Sequence, residues 1–140
     1  MKKTVMLSIT GRQTYADQEP DVIELVTEGT LEFTDGQWVL CYEESALTGL
    51  QGVSTKFQIR DKVVTLTRTG KLNSQMVFKE GVAHDSLYQT EFGALMLTVC
   101  ATRVEANVTE SGGTIDLNYN IEVEQTAAGV IAYHLDIQAK

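Results

Sequence analysis

Arg68 stands where its neighbours forbid an unattended charge. It alternates with Val64 and Leu66, so in an extended chain it shares their apolar face rather than the solvent face. A guanidinium there must be paired or near water, since an isolated buried charge costs several kcal/mol. Glu44 is in phase with Trp38, Leu40 and Tyr42. If strands run up and down, the segment 43–52, the turn at Gly70 and the break at Phe92-Gly93 fall at one end, which puts Glu44 near Arg68, with Tyr88 and Glu91 close by. Two chemistries fit. One is a structural ion pair that plugs the end of the fold. The other is an anion anchor, in which the planar fork of Arg68 takes a carboxylate or phosphate while an apolar ligand body lies among Trp38, Phe57, Leu66 and Tyr119. Arg68, Glu44, Tyr42, Trp38, Tyr88 and Tyr119 are therefore the candidate ligand-lining residues. The acidic residues expected around them, Asp17, Glu19, Asp21, Glu43, Glu44 and Glu91, count against a purely anionic ligand.

The other chemistry-bearing groupings are weaker. His84-Asp85-Ser86 has the residue types of a hydrolase triad, but neighbours on a strand point to opposite sides and triads are assembled from distant segments. Glu43-Glu44 fails as a glycosidase pair for the same reason, since two carboxyls must face one bond. Gly49-Leu50-Gln51-Gly52 lacks the Lys-Ser/Thr and the helix of a phosphate loop. Asn107-Val108-Thr109 fits a glycosylation sequon, which has no use in a cytoplasm. Cys41 and Cys100 have no CxxC spacing, and His84 and His134 are the only imidazoles, so neither a metal nor a cofactor is expected. The expectation is a protein without enzymatic activity, whose cysteines are small packed side chains rather than a redox switch.

The elements that must position these residues follow from a two-residue beat. From Val5 to Gln138, runs with every second residue apolar are broken by Gly, Asn or Asp. Ten strands can be written. Val5-Leu7-Ile9 opens the series. A long second strand has Ile23, Leu25, Leu31 and Phe33 on one face, with Gly29 as a bulge or bend. Asp35-Gly36 is a hairpin turn leading to Trp38-Leu40-Tyr42. Val53 to Ile59 and Val64 to Arg68 flank a turn at Arg60-Asp61-Lys62. Gly70 and Gly81 bound a strand ending at Phe78, and a seventh strand lies around Leu87 to Glu91. Leu95-Leu97-Val99 comes before a polar loop at 107–113. Ile115 to Val123 and Ile131 to Ile137 complete the set. Short turns between successive strands favour a meander, and closing the sheet removes its edges. The expected fold is a single all-β domain over 1–140, an antiparallel, mostly up-and-down barrel of about eight to ten strands able to hold one small ligand. A two-sheet sandwich would bury the same faces.

Composition sets the surroundings. The 140 residues carry 11 basic and 19 acidic side chains, a net charge of −8, which argues against nucleic acid and anionic membrane as partners. Lys56, Arg60, Lys62, Arg68, Lys71 and Lys79 are six of the eleven, but up-and-down strands divide them between the two ends. Met1-Lys2-Lys3 resembles the start of a signal peptide, yet the apolar run behind it is too short and lacks a small-residue cleavage site, so a cytoplasmic protein is expected. Val130 and Ala132 on the polar face of the last strand, and Cys41 beside Val39, keep a monomer or homodimer open, with a protein-interaction module around a filled interior as the alternative to ligand binding.

A family resemblance rests on a set of residues in order. Tyr42-Glu43-Glu44, Thr55, Arg68-Thr69-Gly70, Phe78 with Gly81, and Tyr88 followed by Phe92-Gly93-Ala94-Leu95-Met96-Leu97 are spaced over most of the chain. In these the chain resembles the YwiB-like proteins, a family of bacterial calycin-like β-barrels. The resemblance implies a lipocalin-like closed barrel in the bacterial cytoplasm. It brings no activity or binding residues with it.

Overall fold

The computed structural model describes residues 2–14, 19, 21–44, 51–124 and 126–139. Ten strands follow in order: β1 (Lys3–Thr14), β2 (Asp21–Thr34), β3 (Gln37–Glu43), β4 (Val53–Arg60), β5 (Val63–Gly70), β6 (Leu72–Phe78), β7 (Ala83–Thr90), β8 (Gly93–Thr109), β9 (Gly112–Val123) and β10 (Thr126–Ala139). Each pairs antiparallel with its neighbours in sequence. Ten further register pairs, from Val5↔Ala139 to Thr14↔Val130, join β1 to β10 and close the barrel. The choice between barrel and sandwich, which periodicity left open, is decided by that last ladder. Among the described residues no helix is long and apolar enough to cross a membrane, a statement that does not bear on strands.

The alternating side chains do what their spacing demands. Val5, Leu7, Leu40, Phe57, Val64, Phe78, Ile115, Leu117 and Leu135 are fully buried inside one continuous apolar core. Asp35 (φ 53°) and Gly36 (φ 77°) both lie in the left-handed region, as a tight turn twisted to match the flanking strands requires, and Asp61 (φ 49°) and Lys62 (φ 66°) repeat the device.

Four details depart from the expected pattern. Gly29 is not a bulge, because its pairing is continuous on both sides, Val5↔Gly29 and Gly29↔Tyr42. The bulges lie instead at Thr102 in β8, between Ala101 and Arg103, and at Ala128 in β10, between Ala127 and Gly129. The first explains why β8 runs on through the expected loop to Thr109: one extra residue shifts the beat, so Val99 and Ala101 face inward above it and Val104, Ala106 and Val108 below. In β7 it is Ser86 that is buried while Leu87 is 47% exposed, and the strand begins at Ala83. Phe33 has the expected parity but sits at the strand's end, 53% exposed, with its ring 5.0 Å from that of Trp38.

Candidate functional site

Because the chain is a meander, all odd-to-even connections fall at one end. The β5–β6, β7–β8 and β9–β10 turns surround that mouth, whereas Asp35-Gly36, Asp61-Lys62 and the β6–β7 and β8–β9 turns close the other end. The large core side chains fill the closed end. At the mouth a cavity of about 400 Å³ remains, within the range of small-molecule sites.

The polar residues at its floor and just beneath it lie on consecutive strands by register; Tyr42, Glu44 and Arg68 line the cavity, and Thr55 and Ser74 are buried behind them. Tyr42 of β3 lies opposite Thr55 of β4, Thr55 opposite Arg68 of β5, and Arg68 opposite Ser74 of β6. Glu44 follows β3, held by its backbone N–H donating to Val53 O at 2.9 Å, and its Oε2 accepts from Thr55 Oγ1 at 2.5 Å. The same oxygen stands 3.9 Å from Arg68 Nε. That is an ion pair by charge but beyond hydrogen-bond range. The Glu44 side chain is 1% exposed and that of Arg68 15%, so the carboxylate is sealed beneath the guanidinium, which retains access to the cavity. Arg68 Nε is buried without a hydrogen-bond partner among the described residues. Burial opposes the arginine charge, but the nearby Tyr133 and Glu44 more than offset it and raise its pKa above the ordinary value.

Across the cavity Tyr42 and Tyr133 hydroxyls share a 3.0 Å hydrogen bond. Burial is the main cause that pushes both phenols well above their ordinary pKa, so they stay neutral donors and acceptors. The remaining wall is apolar and comes from the opposite side of the barrel: Ile9 of β1, Leu25 of β2, Leu97 of β8, Ile121 of β9 and Ile131 of β10. Such an arrangement can hold a molecule with an apolar body and a head that accepts hydrogen bonds.

Five of the six expected site residues, Arg68, Glu44, Tyr42, Tyr88 and Tyr119, line this cavity. Trp38 does not. It lies four residues before Tyr42 on the same strand, about 13 Å toward the closed end, packed on the core and Phe33. Phe57 and Leu66 are core residues below the cavity and do not line it. Of the acidic residues expected at the mouth, Glu19, Asp21, Glu43 and Glu91 are exposed and line none of it, and Glu43 accepts from Ser54 Oγ at 2.9 and 2.7 Å. Asp17 and the segment 45–50, with Gly49 and Leu50, lie outside the described residues. Asp85 faces outward and accepts from Thr98 Oγ1 at 2.7 Å, opposite in phase to the buried Ser86. Tyr133 and Gln13 line the cavity and are not among the residues expected there, and Thr55, which holds Glu44, is not among them either. Tyr133 carried a signal, alternating with Ile131 and Leu135, but nothing in the beat singled it out from a core aromatic. No group of His, Cys, Asp and Glu among the described residues could hold a metal.

Residues 7–137 match a family described as Domain of unknown function (DUF1934). No curated protein matches the chain significantly. A crystal structure of the ywiB protein from Bacillus subtilis superposes with a TM-score of 0.89 at 20% identity, covering 99% of this chain and 93% of the other. Similarity at that level of identity concerns the fold, and the barrel is shared.

Proposed function

The chain belongs to the YwiB-like DUF1934 family, and from that premise we propose that it is a non-enzymatic binder of one small ligand, apolar in its body and anionic at its head, seated in the barrel mouth. One observation carries the reading: the guanidinium of Arg68 borders the cavity with 15% of its side chain exposed, and Glu44 stands 3.9 Å from its Nε, beyond hydrogen-bond range. An entering carboxylate would take hydrogen bonds from the N–H groups that face the cavity, and charge-assisted bonds of this kind are the strong ones. The structural ion pair and the anchor are thus two layers of one site. Glu44 balances the charge from below at 3.9 Å, and the ligand completes the hydrogen bonding from above. Charge balance also answers the acidic surroundings, because Glu44 spares the resting protein an unpaired cation. The competing reading, an interaction module with a filled interior, is disfavoured by the cavity itself. A cytoplasmic monomer or homodimer is the setting this reading assumes.

The test is titration with a fluorescent fatty-acid analogue. Arg68→Ala should weaken binding roughly 10- to 100-fold, the loss of a charge-assisted hydrogen bond. Because Arg68→Ala leaves Glu44 buried alone, Arg68→Ala combined with Glu44→Gln keeps the charge balanced and should bind as weakly while folding normally. Equal binding by wild type and both variants, or no binding by any, ends the proposal.

A further inference from the structure

Two phenols that the Glu44–Arg68 pair does not engage meet in the cavity. Tyr42 on β3 and Tyr133 on β10 both line it, and their hydroxyls stand 3.0 Å apart. In the ring of strands Tyr42 is two places from Arg68, and Tyr133 is five, on the opposite side of the barrel. The fully buried ring of Phe57 braces both phenols, 6.4 Å from the ring of Tyr42 and 6.1 Å from that of Tyr133. Packing against one core ring fixes where the two hydroxyls stand. Both phenols are close enough to the guanidinium of Arg68 to favour its charge against the opposing effect of burial.

The pair has one proton to spare. A phenol carries a single proton to donate and two lone pairs. When one hydroxyl donates to the other, the donor's proton is spent and the acceptor's is left over, and neither hydroxyl makes a further hydrogen bond among the described residues. The cavity therefore offers the N–H groups of a guanidinium and one neutral O–H. Its charges point the same way. Arg68 is the one cation lining the cavity among the described residues, and Glu44 already balances it from 3.9 Å. A carboxylate brings one negative charge and two acceptor oxygens to such a site, whereas a phosphate monoester brings close to two charges and three oxygens.

We propose that the head group of the ligand is a single carboxylate, and that Tyr42 and Tyr133 select it by donating their spare proton to one of its oxygens while Arg68 donates to the other. This selection rests on the ligand reading and deepens it, naming one class of head group and the residues that tell it from the rest.

The experiment displaces the fluorescent fatty-acid analogue with decanoate, decyl phosphate and decanol, which share a chain and differ in the head. It compares wild type, Tyr42→Phe, Tyr133→Phe and the double variant. Wild type should bind decanoate about tenfold more tightly than decyl phosphate or decanol, the share of one charge-assisted hydrogen bond. Either single variant leaves one hydroxyl whose own proton is free for the ligand, so decanoate should stay within about threefold of wild type. Removing both hydroxyls should weaken decanoate about tenfold and leave decanol within about threefold. The double variant keeps both rings and orphans no hydrogen-bond partner, so it should fold as wild type does. Decyl phosphate or decanol displacing the probe from wild type as well as decanoate does overturns the choice of head group. A double variant that binds decanoate like wild type, or loses decanoate and decanol alike, leaves the phenols a structural role and overturns the selection. A single variant that loses as much as the double overturns it too, since the donor would then belong to one phenol. If the probe binds wild type and these differences are missing, the head-group selection falls alone. A probe that does not bind wild type removes the ligand reading, and the selection with it.

Discussion

His134 is clamped on the outer wall between two carboxylates, with Nδ1 2.5 Å from Asp116 Oδ1 and Nε2 3.2 Å from Asp136 Oδ2. Asp116 is its cross-strand partner on β9, and Asp136 lies two residues along its own strand. The hydrogen bond to Asp116 is the largest cause that raises its pKa above the ordinary 6.5, against a smaller opposing effect of burial. A pKa raised on folding means that the pair stabilises the fold fully below the unfolded value, and that this contribution fades as pH rises through the folded one. The expected outcome is a urea midpoint for His134→Gln that lies further below wild type at about pH 5 than at about pH 9. The effect is modest, since the His134 side chain is 41% exposed and solvent screens it. Equal gaps at both values would show the clamp to be without energetic weight. At this scale the sequence was informative in one direction only. Period two reports which side of a strand a residue faces, which is why Arg68, Glu44 and Tyr119 could be read as inward. Depth along the barrel axis is a different coordinate, fixed by where each strand begins and how its neighbours stagger. Trp38 has the right side and the wrong depth.

At the scale of single strands, Gly29 shows how a wall can turn on one missing side chain. A Cβ there would meet Cys41 O at 2.6 Å, Leu7 Cδ1 at 3.0 Å and Tyr42 Cβ at 3.3 Å. The first of these is backbone, which cannot swing away as the tip of a side chain would. Gly29→Ala should therefore cost about 2–3 kcal/mol in urea unfolding, the range for overpacking a tight site. Gly81 makes the contrast, since nothing lies within 4 Å of its Cβ position and only its φ of 76° resists substitution. Gly81→Ala should cost about 1 kcal/mol or less. A Gly29→Ala variant as stable as wild type would mean that the β2–β3 approach has slack the geometry does not suggest. The strands other than β7 and β8 are legible because their inward beat is unbroken over the residues that pack the core. β8 was read short because the bulge at Thr102 changes phase in mid-strand, so that Val104, Ala106 and Val108 resemble solvent-facing positions if the count is carried through. β7 was misread for a chemical reason. Its inward residues His84 and Ser86 are polar and its outward Leu87 is apolar, the inverse of the rule.

Over the whole molecule, nine ladders join strands adjacent in sequence and one joins the first strand to the last. The local ladders can form as successive hairpins, each closing a short loop, whereas β1 and β10 must meet across almost the full chain. The entropy of that closure is best met after the remaining wall exists, so the β1–β10 contacts should be weak or missing in the folding transition state. Leu135, fully buried and opposite Ile9, reports on this ladder, and Leu66, 3% exposed and opposite Phe57 within a hairpin, reports on a local one. Truncating either to Ala should cost about 2–4 kcal/mol at equilibrium. The kinetics should separate them: Leu135→Ala accelerates unfolding and leaves the folding rate within about twofold of wild type, while Leu66→Ala slows folding by a substantial share of its equilibrium cost. Chevron plots in urea measure both arms for each variant. Folding slowed by Leu135→Ala as much as by Leu66→Ala would mean that the ends of the chain find each other early, and that the barrel closes before its wall is built.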